Sequence, residues 1–232
     1  MNKSIKLAVA AALVAGTSLA QAEFSANVAL TNDYVFRGIS QTDEHPAIQG
    51  GFDFSHDSGL HAGIWGSNVD FNDGDEATIE IDYSVGFGGK LIDALSWDLS
   101  AIYYTYPGAH GSLDYDYWEF TPSLSYDFGP ASLSGAVYYS PDFFGGIGDA
   151  VYYNAGVEVP LPQDFAIGAS IGRQTFSRNA NQEWTDWKVG VSKELGGFGF
   201  ELAYTDTNLS KAECGNTGWC EGRVLVSVSK SF

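Results

Sequence analysis

The sequence predicts an all-β protein: a transmembrane, antiparallel, up-and-down β-barrel of about twelve strands, preceded by a cleaved signal peptide. Three observations predict it. A secretory leader occupies the N-terminus, strand-length segments with a period of two fill most of the remaining chain of 232 residues, and the links between them alternate between tight turns and longer polar loops.

The leader is read from Lys3 and Lys6, the apolar run Leu7 to Val14, and the small-residue site Ala20-Gln21-Ala22. A membrane-spanning helix needs roughly 18 or more apolar residues, and this run breaks at Gly16, Thr17 and Ser18. Residues 1–22 are therefore expected to be removed, leaving the barrel as residues 23–232. Cleavage takes away two lysines and no acid, so the net charge falls from −18 to −20. Nucleic acid is excluded as a partner, because binding it needs a basic face. Aromatic residues make up 15% of the chain, which argues for an ordered protein rather than an acidic disordered one.

The strands follow in order. N-terminal segments are expected around Phe24 to Phe36, Ile48 to Phe54 and Leu60 to Ser67. In "ATIEIDYSVGFGG", Ile79, Ile81, Tyr83, Val85 and Phe87 alternate with Glu80, Asp82, Ser84, Gly86 and Gly88, giving one apolar and one polar face. "LSWDLSAIYY" sets Leu95, Trp97 and Leu99 against Ser96, Asp98 and Ser100. "YWEFTPSLSYDF" sets Trp118, Phe120 and Leu124 against Glu119, Thr121 and Ser123. The segments "LSGAVYY", "VYYNAGVEV", "FAIGASIG", "WKVGVS", "FGFELAY" and "RVLVSVSKSF" complete the set, each close to the ~10 residues of a tilted membrane strand.

With the mature N-terminus on the periplasmic side, "SHDSG", "GGKLIDA", "DFGPA", "PLPQD" and "ELGG" become periplasmic turns. "GISQTDEHP", "VDFNDGDE", "PGAHGSLD", "SPDFFGGIGD", "SRNANQE" and "DTNLSKAECGNTGWCEG" become outer loops. A soluble sandwich also alternates, but it hides its apolar faces against each other. A barrel instead sets aromatic girdles at both lipid interfaces. Phe87, Phe128, Phe165, Phe198 and Phe232 fall at periplasmic strand ends, and Tyr34, Phe36, Trp118, Tyr153 and Tyr204 at outer ends. In the last strand Val224, Val226, Val228 and Phe232 face lipid and carry the C-terminal signal read by the barrel assembly machinery. Lys230 shares their parity and is expected to snorkel to the interface.

Residues 32–71, "NDYVFRGISQTDEHPAIQGGFDFSHDSGLHAGIWGSNVDF", with "YYTYPG" at 103–108, resemble the TorF family of porin-like proteobacterial outer-membrane proteins. The resemblance implies a barrel in the outer membrane of a Gram-negative bacterium, in contact with lipid and lipopolysaccharide, and a transport role.

The same parity turns Asp33, Asp53, Glu80, Asp82, Asp98, Glu119, Glu158, Asp186 and Glu201 inward, with Arg37, Lys188 and Arg223 as the inward bases. Buried charges need water or partners. The lumen is therefore either wet, acidic and attractive to cations, or cross-linked by ion pairs into a plug. Twelve strands enclose little free space, and inward Trp65, Tyr104, Tyr106, Tyr138 and Tyr152 narrow it. The expected function is slow passive diffusion of small polar or cationic solutes. The alternatives are a structural or adhesive barrel acting through its outer loops, and a lipid-directed enzyme built on His61 and Ser67.

No cofactor or metal is implied. The four histidines lie in separate segments, and no Gly-x-Ser-x-Gly or His-Glu-x-x-His motif is present, so no enzymatic role is expected. Asp70, Asn72, Asp73 and Asp75 approach a calcium loop, but Gly74 falls one place early for the EF-hand pattern, and a solvated turn is the reading. Cys214 and Cys220 in the longest outer loop are expected to form a disulfide in an exported protein. Trp219 between them is read as an exposed lipid anchor.

Overall fold

The computed structural model describes residues 22–72, 74, 77–178 and 183–232. Apart from Ala22, the expected signal peptide lies outside the described residues. Twelve strands close into one barrel: β1 (Ala22–Thr31), β4 (Ala47–His56), β5 (Leu60–Asn68), β6 (Ile79–Ile92), β7 (Leu95–Thr105), β8 (Tyr117–Asp127), β9 (Ser132–Ser140), β10 (Ala150–Leu161), β11 (Phe165–Phe176), β12 (Trp184–Leu195), β13 (Phe198–Thr207) and β14 (Arg223–Ser231). Every neighbouring pair is antiparallel, and β1 closes the ring against β14 in the register Asn27↔Ser231 to Thr31↔Ser227. Phe232 extends that seam, exchanging backbone hydrogen bonds with Ala26. Among the described residues this ring leaves no strand edge open to lipid, as a bilayer requires.

The period of two sorts the side chains. Along β6, Ile79, Tyr83, Val85 and Phe87 are 40–49% exposed on the outer surface, whereas Glu80 between them is 1% exposed on the inside. The register keeps the sorting across strands: inward Asp82 sits between Trp65 and Tyr104, and outward Tyr83 between Ile64 and Tyr103. An apolar exterior of this extent is a liability in water and the solvated face in lipid.

Phe87, Phe128, Phe198 and Phe232 are exposed at the short-turn end, and Trp118, Tyr153 and Tyr204 at the long-loop end. The Lys230 ammonium lies 4.7 Å from the Phe198 ring centre and 5.4 Å from that of Phe232, so its charge rests on the girdle while its stem crosses the apolar face.

Two departures from the expected layout matter. The turn expected over "GGKLIDA" shrinks to Asp93 and Ala94, because β6 runs on to Ile92 with a register shift between Lys90 and Ile92. The first strand, expected to reach Phe36, ends at Thr31. There the Asn32 side chain pairs with the backbone of β14, donating to Val224 O at 3.0 Å and accepting from Val226 N at 2.7 Å. Beyond it the chain turns into the lumen, so Tyr34 and Phe36 leave the expected outer girdle and pack inside the barrel.

We label the long loops L1 (32–46), L2 (69–78), L3 (106–116), L4 (141–149), L5 (177–183) and L6 (208–222). The core of the molecule lies within the outer half of the barrel, where Tyr104, Tyr106, Tyr117, Phe143, Phe176 and Trp184 are buried together. Tyr104 and Tyr117 stack at 4.4 Å, and Tyr115 of L3 stacks on Phe144 of L4 at 4.2 Å.

Candidate functional site

The site begins with a short hairpin inside the lumen. β2 (Val35–Phe36) pairs with β3 (Ile39–Ser40) across a two-residue turn, Arg37-Gly38, with φ of 49° and 81°. Positive φ at both central positions is the hairpin turn whose twist matches its strands. Glycine suits the second position twice over, since a Cβ there would also meet Asp186 Cβ at 2.8 Å and the Thr207 methyl group.

The turn delivers Arg37 to the middle of the barrel. Its Nη2 donates to both Glu119 oxygens at 2.8 and 2.7 Å, and its Nη1 donates to Gln174 Oε1 at 2.8 Å. The Arg37 carbonyl accepts from Trp184 Nε1 at 2.9 Å. The guanidinium lies 4.2 Å from the Tyr152 ring centre and 4.5 Å from that of Phe36. Burial opposes the Arg37 charge, but the Glu119 carboxylate more than offsets this and holds the proton above its ordinary range. One residue of L1 is thus tied to β8 and β11 through its side chain and to β12 through its carbonyl. A second tie runs from Asp33 to Arg223 on β14 at 2.5 Å, and Asp33 also accepts from Ser40 Oγ at 2.7 Å. Asp33 and Arg37 were expected on the wall of the barrel; both instead sit on the inserted segment.

Beside the clamp, Glu80 and Asp82 occupy successive inward positions of β6. The Tyr34 hydroxyl donates to Glu80 Oε1 at 3.4 Å. Burial first, and Glu80 second, push the Tyr34 phenol above its ordinary range, so it stays a donor. Tyr152 donates to Asp186 at 3.0 Å and Tyr104 to Glu119 at 3.1 Å.

The half nearer the short turns is different. His61 Nε2 and Asp98 Oδ2 are 2.6 Å apart with side chains 34% and 20% exposed, and Lys188 and Glu201 are 2.7 Å apart at 36% and 21%. Asp53 is exposed toward the same space with Asn27 at 3.4 Å, and Glu158 is half-buried. The lumen therefore has two tiers: a filled outer half and, toward the short turns, a half whose polar side chains are more exposed.

The structure joins Arg37 to Glu119, Asp33 to Arg223 and Lys188 to Glu201, and leaves Asp53 and Glu158 apart from those pairs. Gln174 and Trp184, both partners of Arg37, escaped the sequence reading because the strand read as "FAIGASIG" runs on to Phe176 and the one read as "WKVGVS" already starts at Trp184. Extending its parity would have turned Gln174 inward. His61 and Ser67 do not meet: six residues of one strand hold them about 20 Å apart. Ser67 donates instead to Asn68 O.

In L6, Cys214 and Cys220 form a disulfide. Trp219, expected as an exposed lipid anchor, is half-buried and donates through Nε1 to Asp43 of L1 at 2.6 Å, while its carbonyl accepts from Ser40 N at 2.9 Å. In L2, Asp70 Oδ1 accepts from Asn72 N at 2.9 Å, the geometry of a solvated Asx turn. Asp73 and Asp75 lie outside the described residues.

A closed ring of twelve antiparallel strands, apolar outside and charged inside, defines a β-barrel of the membrane kind. More particularly, the chain belongs to the family described as "Bacterial protein of unknown function (Gcw_chp)", whose model matches residues 15–232. No curated protein matches it in sequence. Among solved structures it is similar to the KdgM porin, at 10% identity and a TM-score of 0.60, over 90% of this chain and 99% of that one. The same porin in complex with disordered oligogalacturonate aligns at 9% and 0.56, over 91% and 99%. The NanC porin aligns at 9% and 0.56 over 88% and 97%, and LpxR from Salmonella typhimurium at 8% and 0.50 over 90% and 99%. At these identities the likeness is one of fold.

Proposed function

We propose that the protein is a TorF-like diffusion channel of the Gram-negative outer membrane, passing small polar or cationic solutes through a narrow acidic lumen that the L1 hairpin closes. The observation that carries this reading is the two-tier lumen. Solvated carboxylates of Asp53, Asp98, Glu158 and Glu201 line the inner tier against Lys188 and His61. In the outer tier the L1 hairpin packs against aromatic side chains of the wall strands and of L3 and L4, and it is anchored mainly through side chains. A net-negative, low-dielectric passage concentrates cations and repels anions. The KdgM porin has been solved with oligogalacturonate, a polyanion; the charge of this lumen favours the opposite class of solute.

The apolar exterior, the two girdles and the outward apolar residues of β14 support insertion beside lipid and lipopolysaccharide through the barrel assembly machinery. The separation of His61 from Ser67 supports a non-enzymatic barrel. The test is single-channel conductance of the refolded protein in a planar bilayer, with reversal potential under a salt gradient. Discrete cation-selective steps, more frequent when residues 35–40 are replaced by a short Gly-Ser link, are expected. A barrel silent in both forms would overturn the reading and favour the second one, a closed barrel whose outer loops bind a partner, which the filled outer tier also supports.

A further inference from the structure

Glu80 and Asp82 are two neighbouring acids of the outer tier, and neither has a cationic partner among the described residues. Arg37 is spent on Glu119, Arg223 on Asp33 and Glu44, and no lysine, arginine or histidine among the described residues lies within ion-pair distance of either carboxyl. Glu80 is 1% exposed. Glu80 Oε2 and Asp82 Oδ1 are both buried without a hydrogen-bond partner of good geometry, and the groups within hydrogen-bonding reach of the Glu80 carboxyl are the Tyr34 and Tyr106 hydroxyls and the Asp82 carboxyl.

What surrounds the pair is uniform in kind. L1 presents Tyr34, β7 Tyr104, L3 Tyr106, and β8 Tyr117 and the neutralised Glu119, while β5 offers Trp65, which carries no titratable group. Phenol hydroxyls can support one buried negative charge. Two carboxylates in contact without a countercharge cannot both be ionised. A multivalent metal is a poor countercharge here, since the described residues offer no group of three or more acidic, histidine or cysteine ligands. A proton needs no extra room and gives each orphaned oxygen a partner at one stroke.

We propose that Glu80 and Asp82 share a single proton when the L1 hairpin is seated, and that this proton is a latch on the plug. This rests on the proposed function only in taking the hairpin to be the movable closure. Tyr34 couples latch to hairpin, through its hydroxyl on Glu80 and its ring on Trp65 at 5.4 Å. With the hairpin withdrawn the carboxyls are hydrated and ionise in the ordinary acidic range. Seating the hairpin therefore takes up a proton, so closure is favoured at low pH and lost as pH rises through the titration of the seated pair.

The test reads hairpin position directly. Ile39→Cys, in the otherwise disulfide-bonded chain, is labelled with a maleimide from about pH 5 to 10, with rates corrected for thiolate fraction on a free thiol. The expected result is a labelling rate that climbs by up to tenfold per pH unit between the ordinary carboxyl range and the titration of the seated pair and levels off above it, with no climb in the Glu80→Gln or Asp82→Asn background, where an amide replaces the shared proton. Amide exchange of residues 35–40 in the chain without the new cysteine reads the same opening should Ile39→Cys perturb packing. A flat profile in both readouts, an unchanged slope in Glu80→Gln, or a response to sodium or potassium concentration instead of pH would overturn the proposal. Conductance recorded on the same preparations separates the two ideas: pH-dependent labelling with a silent barrel sinks the channel and keeps the latch, whereas cation-selective steps with flat labelling do the reverse.

Discussion

Arg37 is the residue on which the plug turns. Its guanidinium is buried, doubly bonded to Glu119 and stacked on Tyr152 and Phe36, so it supplies charge, hydrogen bonds and packing at one point. Removing one partner of a buried pair leaves the other uncompensated, typically at about 3–5 kcal/mol. Arg37→Ala is therefore expected to release the hairpin, raising the open fraction in bilayer recordings and lowering the thermal midpoint. Arg37→Ala with Glu119→Gln should recover part of the midpoint, because the stranded carboxylate is gone; a double-mutant cycle measures the coupling. Gly38→Ala acts on the same turn by another route. The left-handed backbone adds roughly 1–2 kcal/mol for a residue with a Cβ, and the collision with Asp186 and Thr207 adds to it. Its expected phenotype is a partly unseated hairpin in an otherwise intact barrel, seen as faster exchange of residues 35–40.

At the scale of the element, L1 and L6 behave as one unit. Trp219 bonds to Asp43, Arg223 reaches Asp33 and the Gly218 carbonyl, and Thr207 Oγ1 donates to the Cys220 carbonyl at 2.9 Å. The disulfide closes a ring small enough that loop entropy assigns it only about 2 kcal/mol. Cys214→Ser with Cys220→Ser is thus expected to leave barrel unfolding nearly unchanged while protease cleavage in 208–222 and exchange in 35–40 both accelerate. Loosening of L6 with no effect on L1 would show that the two loops are independent. These elements also mark where the sequence stops being legible. Strand parity is local and periodic, so it placed Glu80, Asp82, Glu119 and Asp186 inward without knowledge of the fold. The inward course of L1 is set by contacts more than 80 residues away, Arg37 to Glu119 and to Gln174, and no local period encodes them. Tyr34 and Phe36 continue the alternation of the first strand, and only Asn32, a polar residue that adds side-chain pairing with β14 to its backbone bond to Val226, interrupts it.

On the scale of the whole molecule, the acidity of the chain divides between two environments. Acids of the outer tier are neutralised in place by Arg37 and Arg223 or hydrogen-bonded to tyrosines, and so contribute little field to a solute. Those of the inner tier keep water: Asp53 is exposed, Glu158 is half-buried, and the Asp98 and Glu201 pairs are partly solvated. Cation preference should therefore reside mainly in the inner tier. Asp53→Asn with Glu158→Gln is expected to move the reversal potential toward zero, as measured under a salt gradient in the variant lacking residues 35–40, and to leave exchange of residues 35–40 unchanged in the chain that keeps them. The shift should be large near 0.1 M salt, where the Debye length of about 10 Å lets these charges act across the lumen, and should fade toward 1 M, where it is about 3 Å. Selectivity that survives both substitutions would place the filter among the outer carboxylates, Glu80 and Asp82. In that case the hairpin and the filter would be the same structure, and opening and cation preference would change together in every variant of L1.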